Sequence, residues 1–202
     1  MKKLLLLLLV LTACTKTNKD GYKTYTIEQG FHNSNEWLYY RPLQDHNLRQ
    51  SIYFGFECWH DKSLVTHSGY NKLTGLTQIG GIHSKSGRIV WQPDFDNVNQ
   101  IKLSAYVYGS NRGYVVNHEN YIDGEKFISE GGWVAEYITT VQTGKPFEIE
   151  VNCLSDRWQF SVNGIKVEIF ADTPDGLLGL CIPYFGGRDA AYYQMNFYIK
   201  EL

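Results

Sequence analysis

Aromatic and charged side chains alternate with apolar ones along two segments, and this mixture suits the binding of sugars. The segments are Ser51–His60 and Gln100–Tyr108. The side chains concerned are Tyr53, Glu57 and Trp59 in the first segment and Lys102, Tyr106 and Tyr108 in the second. If both strands belong to one sheet, these side chains form one face that stacks on sugar rings and pairs with hydroxyls. The alternative is ordinary cross-strand packing on a half-exposed sheet, where aromatic residues are also favoured.

A second group of chemically active side chains lies between the two segments. His83, Ser86 and Arg88 follow one another at short spacing, and Ser86 and Arg88 share a strand face. Arg88 could bind a carboxylate through two hydrogen bonds, which would fit an acidic sugar, so we add His83 and Arg88 to the ligand-binding residues. A Ser–His nucleophile would need an oriented histidine, and no acid is placed to orient it. In the alternative, Arg88 is an ion-pair partner and His83 caps a turn.

An Asx-rich loop is the candidate metal site, and calcium is the ion that it would bind. Its oxygen-bearing side chains are Asp94, Asp96, Asn97 and Asn99. Clustered carboxylate and amide oxygens suit calcium, although the bidentate glutamate of an EF-hand loop is missing. Such residues also form turns without any ion, because their side chains hydrogen-bond to the nearby backbone.

The first residues have the pattern of a secretion signal. Two lysines precede a short leucine-rich run that is too short to span a bilayer. Leu11-Thr12-Ala13-Cys14 resembles a bacterial lipoprotein box, which implies cleavage after residue 13 and lipid on Cys14. Residues 14–21 are polar and predict a flexible tether. Because the tether lacks an acidic run, we expect the anchor in the outer membrane, on its periplasmic side rather than at the cell surface.

The net charge argues against one class of partner, and the cysteine positions predict the state of the thiols. The formal charge of the full chain is −2, and two of its lysines belong to the leader, so the mature chain is mildly acidic. This argues against nucleic acid as a partner. Cys58, Cys153 and Cys181 each lie in an apolar run, and we expect buried free thiols rather than a Cys153–Cys181 bridge.

The remaining pattern is that of an all-β protein with one domain over residues 22–202. Short alternating segments follow one another with turns between them, and no segment predicts a long helix. Asn163-Gly164 predicts a tight hairpin, and Leu43–Arg49 could hold one helical turn. Leu177–Tyr184, apolar on both sides, predicts a central strand. We expect a two-sheet antiparallel jelly-roll sandwich, with a closed barrel as the alternative.

Three segments carry a resemblance to known proteins: Tyr70–Gly75, His83–Trp91 and Pro183–Gly187. They resemble a group of small, largely uncharacterised lipoproteins of Bacteroidetes-type bacteria. The order of strands is similar to that of concanavalin A-like lectin/glucanase jelly rolls. The glucanases in that group carry a Glu-x-Asp-x-x-Glu strand, and the nearest segment here, Glu148-Ile149-Glu150, has a different spacing.

These observations predict a lipid-anchored cell-envelope protein that binds carbohydrate, or a related envelope polymer, without turning it over. One alternative is a glycoside hydrolase or polysaccharide lyase, for which Glu57 with Glu148 or Glu150 is the carboxylate pair to test. The other alternative is a structural or protein-interaction module of the envelope. No cofactor other than calcium is expected.

Overall fold

The computed structural model describes residues 20–35, 42–43, 46–60, 70–79, 85–108, 113–116, 133–174, 176–186 and 190–202, with 42–43 and 113–116 described by their backbone. The leader, Cys14, most of the tether and His83 lie outside these residues. Within the described residues, no helix is long and apolar enough to cross a membrane.

Thirteen strands are formed by the described residues. They are β1 Lys23–Ile27, β2 Pro42–Leu43, β3 Asn47–Phe54, β4 Asn71–Gln78, β5 Ser86–Pro93, β6 Gln100–Tyr108, β7 Gly113–Val116, β8 Trp133–Gln142, β9 Phe147–Cys153, β10 Arg157–Val162, β11 Ile165–Ala171, β12 Leu178–Cys181 and β13 Met195–Glu201. One 3-10 helix, Phe56–Cys58, follows β3.

The strands make two antiparallel sheets. One has seven strands in the order β1-β13-β3-β9-β10-β11-β7, and the other has six in the order β2-β12-β4-β5-β6-β8. Neighbours within each sheet are often distant in sequence, as β13 beside β3 and β12 beside β4 show. The prediction of a two-sheet antiparallel sandwich is therefore confirmed.

The core lies between the sheets and is built by the alternation of apolar residues along each strand. In β6 the predicted apolar side, Ile101, Leu103, Ala105 and Val107, is fully buried in it. Phe54 of the seven-stranded sheet packs against Trp91 of the six-stranded sheet, with ring centroids 5.4 Å apart. Each such buried side chain contributes roughly 1.5–3 kcal/mol. A side chain at Gly87 would overlap the indole of Trp158, so this glycine allows the two sheets to approach.

A buried polar contact also joins the two sheets. The hydroxyl oxygen of Thr74 in β4 lies 3.0 Å from Gln50 Oε1 in β3 and 3.1 Å from the carbonyl oxygen of Cys181. Both Thr74 and Gln50 are almost completely buried. Because a buried amide oxygen without a donor is costly, this contact helps to fix one sheet against the other.

Several local predictions can be compared with the structure. The Asn163-Gly164 hairpin is confirmed, with φ of 48° and 82° at its two residues, as a type I′ turn requires. The helical turn in Leu43–Arg49 is wrong, because Asn47 already begins β3. The strand predicted over Leu177–Tyr184 is shorter, Leu178–Cys181, and ends before Pro183, which lacks the amide hydrogen that a ladder needs.

Cys58, Cys153 and Cys181 are confirmed as free and buried. Burial raises the pKa of the Cys153 thiol to about 12 and also raises the pKa of Cys58 and Cys181. Because the thiolate is the reactive form, these thiols are unreactive near neutral pH.

Candidate ligand-binding site

The outer face of the six-stranded sheet brings together cations and aromatic rings. The core side of β6 is occupied by Leu103, Ala105 and their apolar neighbours, so Tyr106 and Tyr108 point to the opposite side. Tyr106 pairs with Arg88 of β5, which in turn pairs with Gly75 of β4. The sequence-predicted residues Arg88, Tyr106 and Tyr108 are therefore neighbours on one face.

Lys72 of β4 reaches the same face and is held between two tyrosine rings. Its Nζ lies 5.7 Å from the ring centroid of Tyr184 and 6.0 Å from that of Tyr106. Tyr184 follows β12 and forms an isolated bridge with Lys72. The ammonium also lies against Gly186, where an added Cβ would be 2.5 Å from it. A lysine ammonium above aromatic faces is stabilised by cation–π attraction.

The charges of this face affect one another. Burial, followed by repulsion from Arg88, lowers the pKa of Lys72 to about 8. Burial raises the pKa of Tyr106 to about 12, against the opposing effect of Arg88. Lys72 therefore loses its proton at lower pH than Tyr106 does, and near neutral pH Lys72 is mostly cationic.

Aromatic rings extend the face to the neighbouring strand. The ring of Tyr106 is nearly parallel to those of Tyr108 and Trp133, with centroids 6.3 and 5.7 Å away. Tyr70, just before β4, approaches Trp133 edge-on at 5.7 Å. Trp133 is 54% exposed, so part of its indole is open to a ligand. We call the set Lys72, Arg88, Tyr106, Tyr108, Trp133 and Tyr184 the cationic–aromatic face.

The other predicted aromatic residues do not lie on this face. Tyr53 belongs to the seven-stranded sheet and stacks on Tyr198, with centroids 4.3 Å apart. The strand predicted over Ser51–His60 ends at Phe54, so Glu57 and Trp59 leave the sheet with the 3-10 helix. The assumption that the two aromatic segments lie in one sheet is therefore wrong, because β3 pairs with β9 and β13 rather than with β6.

Glu57 and Trp59 make contacts that hold the chain in place. The carboxylate of Glu57 accepts hydrogen bonds from the backbone N–H and the side-chain amide of Asn196, at 2.9 and 2.6 Å. The indole N–H of Trp59 donates to the carbonyl oxygen of Asp94 at 3.0 Å. These bonds fix the 3-10 helix to β13 and to the loop after β5.

The Asx-rich loop uses its side chains within the protein. Asp94 accepts a hydrogen bond from the side-chain amide of Asn97 at 2.9 Å and lies 3.0 Å from Lys102 Nζ. These hydrogen bonds, that from Asn97 first, lower the pKa of Asp94. Asp96 is 3.9 Å from Lys102, and Asn99 has a φ of 59°. Among the described residues, no group of three or more acidic, histidine or cysteine side chains could hold a metal ion. Calcium stays a prediction.

Sequence reasoning missed Lys72, Trp133 and Tyr184. A register shift between Lys72 and Thr74 breaks the alternation that would have assigned Lys72 to the outer face. Trp133 begins a strand whose alternation is also interrupted, opposite Leu103 and Ser104. Two of the segments that carry the resemblance, Tyr70–Gly75 and Pro183–Gly187, contain Lys72 and Tyr184. Neither segment alone predicts that β4 pairs with the chain around Tyr184.

A cavity of about 500 Å³ lies on the seven-stranded sheet instead. Its charged lining includes Arg49, Glu148, Glu150 and Lys166. Arg49 and Glu148 form a mostly exposed ion pair at 3.0 Å, and Glu150 accepts a hydrogen bond from Asn152. We favour the cationic–aromatic face as the functional site, because Arg88 is buried there with a half-buried Lys72 whose pKa it lowers, whereas the Arg49–Glu148 pair of the cavity is largely in solvent.

Solved structures show the same architecture. Alginate lyase AlyC3 aligns with a TM-score of 0.57 and 8% identity, covering 96% of this chain and 78% of its own. Alginate lyase A1-II′ aligns with a TM-score of 0.50 and 11% identity, covering 91% and 79%. The fold is a concanavalin A-like jelly-roll sandwich. Neither a family model nor a curated protein matches the sequence, and membership of the lipoprotein group stays a prediction.

Proposed function

We propose that the cationic–aromatic face binds carbohydrate without turning it over. The observation that carries this proposal is that three aromatic rings, Tyr106, Tyr108 and Trp133, lie nearly parallel beside two cations on one sheet face. Sugars present apolar C–H faces to such rings and hydroxyls to charged side chains. The names of the two alginate lyases with the same fold agree with a polysaccharide ligand.

The strand order supports an extended ligand rather than a single sugar. The face runs from Tyr184 and Lys72 across β5 and β6 to Trp133 at the start of β8. Adjacent strands are about 4.8 Å apart, so β4 to β8 span roughly 14 Å. A polymer crossing these strands would contact several of the side chains at once.

The hydrolase alternative loses support because its carboxylates are engaged elsewhere. Glu57 accepts two hydrogen bonds from Asn196, and Glu148 pairs with Arg49 on the other sheet. Glycoside hydrolysis needs two carboxylates facing one glycosidic bond. None of the three candidate carboxylates lies on the strands that carry the cationic–aromatic face.

A polysaccharide lyase is the second candidate, and the lowered pKa of Lys72 favours it. With a pKa of about 8, some Lys72 amine is neutral near pH 7 and could remove the proton beside a sugar carboxylate. The electron pair would then form a C=C bond as the adjacent C–O bond breaks, and the leaving oxygen would take a proton. The new double bond, conjugated with the carboxylate, would absorb ultraviolet light.

The location in the cell envelope is part of the same proposal, and it rests on the leader sequence. Cys14 would carry the lipid, and the polar tether would hold the domain on the periplasmic side of the outer membrane. Metabolic labelling with a fatty acid tests this. We expect label on the native chain and none on Cys14→Ser, and label on both chains would contradict the anchor.

Retention of the detergent-solubilised full chain on immobilised polysaccharides tests binding. We expect Trp133→Ala to weaken retention about tenfold, which corresponds to roughly 1.4 kcal/mol of lost stacking. Tyr53→Ala is the matched control, because Tyr53 lies on the opposite sheet, and it should bind as the native chain does. If Trp133→Ala and Tyr53→Ala lose retention equally, the cationic–aromatic face is not the binding site. Eluted polymer that has become shorter and absorbs ultraviolet light would favour the lyase.

A further inference from the structure

The side-chain nitrogen of Lys72 lies in a half-buried place without a polar partner. The ring centroids of Tyr184 and Tyr106 are 5.7 and 6.0 Å from its Nζ, and Gly186 leaves the space beside it. Within the part of the chain that the structure describes, this nitrogen donates no hydrogen bond, forms no ion pair and is not among the unpartnered nitrogens shut off from solvent. Because buried lysines are normally paired, this nitrogen is available to a ligand atom.

The same surroundings favour the neutral amine. Burial, followed by the charge of Arg88, lowers the pKa of Lys72 to about 8. At pH 7 about a tenth of Lys72 is therefore neutral, roughly 200-fold more than for a lysine with the usual pKa of about 10.4. A neutral amine has the lone pair that attacks a carbonyl carbon, and desolvation or a neighbouring cation activates lysine for this reaction.

We infer that Lys72 forms an imine with the open-chain aldehyde at the reducing end of a sugar that lies on the cationic–aromatic face. This inference rests on the proposed function and names the group of the sugar that reaches Lys72. The amine lone pair attacks the aldehyde carbon, so that a C–N bond forms and the C=O bond breaks. The oxygen leaves as water with the two hydrogens of the amine, and no oxidant or reductant is needed.

The position of Lys72 suits the end of a sugar chain. On the side of β12, Tyr184 and Gly186 lie against the lysine, so the chain after β12 borders the face there. On the other side, the centroid of the Tyr106 ring lies 6.0 Å from Lys72 Nζ and 5.7 Å from that of Trp133. A sugar chain on Trp133 and Tyr106 would therefore bring its terminal residue to Lys72, and such positioning speeds the attack.

Reductive trapping of the detergent-solubilised full chain with glyceraldehyde, a three-carbon reducing sugar, tests the amine. Cyanoborohydride converts an imine into a stable secondary amine, and peptide mass mapping then locates it. At pH 7 we expect Lys72 to be labelled at least about tenfold faster than Lys166, which is exposed on the seven-stranded sheet.

The ratio of the two labelling rates should depend on pH. It should be constant below about pH 8 and fall above it, because Lys72 is then already neutral while an exposed lysine still gains neutral amine. The groups that face the Lys72 amine are Arg88 from β5, Tyr106 from β6 and Tyr184 after β12. Tyr106 does not change charge near pH 8, because its pKa is about 12.

A second probe tests whether the face positions the sugar. It is a neutral β-glucan tetrasaccharide with a free reducing end, and the same tetrasaccharide reduced to its alditol is the control without an aldehyde. We expect the tetrasaccharide to label Lys72 and the alditol to label nothing. Trp133→Ala should slow labelling by the tetrasaccharide about tenfold more than labelling by glyceraldehyde, because a stacking contact is lost. Tyr53→Ala, on the opposite sheet, should slow neither.

The outcomes separate this inference from the proposed function. Labelling of Lys72 by glyceraldehyde no faster than that of Lys166 would overturn the inference, even where polysaccharide is retained. Fast labelling by glyceraldehyde with none by the tetrasaccharide would also overturn it, because reducing ends would not reach the amine. If Trp133→Ala and Tyr53→Ala are labelled equally fast by the tetrasaccharide, the proposed sugar face fails while the imine at Lys72 stands.

Discussion

Gly186→Ala tests whether Gly186 leaves the space in which the Lys72 side chain lies, without removing the charge of the lysine. The new Cβ would lie 2.5 Å from Lys72 Nζ and 2.5 Å from the carbonyl oxygen of Tyr70, whereas ordinary contacts begin near 3.4 Å. The flexible end of Lys72 can move away by the missing ångström, but the carbonyl of Tyr70 is backbone. The N–H of Gly186 also donates to Asn71 Oδ1 at 3.1 Å, which limits movement of the loop.

Two effects should follow from this crowding. Overpacking of this kind costs about 1–3 kcal/mol, so the free energy of unfolding in urea should fall by that amount. Lys72 should also leave the space between Tyr106 and Tyr184 for a wetter position, and its pKa should rise from about 8 towards the ordinary lysine value. An NMR titration of the Lys72 amine measures this change in pKa.

Gly176→Ala is the matched control, because an added Cβ there would meet nothing within 4 Å. It should leave both the urea midpoint and the pKa of Lys72 unchanged. If Gly186→Ala unfolds at the native midpoint and keeps the native pKa of Lys72, Lys72 is not confined by Gly186. The geometry that we assign to the cationic–aromatic face would then be wrong.

Three further changes test other parts of the molecule. Lys72→Met should raise the free energy of unfolding at pH 7. The gain should shrink between about pH 8 and the ordinary lysine pKa, because in that range the chain with Lys72 binds more protons when it is unfolded than when it is folded. Urea titrations at several pH values measure this. Thr74→Val should lower the free energy of unfolding by about 1–3 kcal/mol, because the buried Gln50 amide oxygen loses a donor. The control Thr140→Val should change it by less than about 0.5 kcal/mol, because the hydroxyl of Thr140 bonds to that of Tyr137 in a solvent-exposed contact. The folded chain lowers the pKa of Asp94, so the Asp94 carboxylate should contribute to stability above the ordinary aspartate pKa. This contribution should be lost as the pH falls from the ordinary pKa through the lowered one, and it should be missing in Asp94→Asn. Added calcium tests the Asx-rich loop. A rise in the native thermal midpoint that Asp94→Asn abolishes would show a metal site, and an unchanged midpoint would show that Lys102 and Asn97 keep the carboxylate of Asp94 occupied.

Strands and turns could be predicted from the sequence wherever the pattern that specifies them involves only neighbouring residues. The alternation of β6 and the positive-φ pair Asn163-Gly164 each need only neighbouring residues, and both predictions are confirmed. The partner of a strand is not local information. Tyr53 and Tyr106 have the same alternating surroundings in sequence, yet β13 and β9 flank β3 whereas β5 and β8 flank β6. The predicted face therefore combined residues from two different sheets.

The remaining site residues were hidden because irregular backbone places them. A register shift precedes Thr74, so Lys72 does not follow the period of two that assigns faces. Tyr184 lies beyond Pro183, outside any strand, and joins the face through an isolated bridge with Lys72. The apolar pattern that encodes the core constrains neither feature, because both concern the opposite surface of the sheet.

Stability alone does not explain why a lysine occupies this place. An apolar residue of similar length at position 72 would avoid both the desolvation of an ammonium and its repulsion from Arg88. The fold also places glycine at Gly75 and Gly186, although glycine weakens the backbone, and each lets a cation lie against the sheet. Partly buried charged groups with a shifted pKa are typical of functional sites. Lys72→Met should therefore separate the two requirements, since it should stabilise the fold while weakening the binding of carbohydrate.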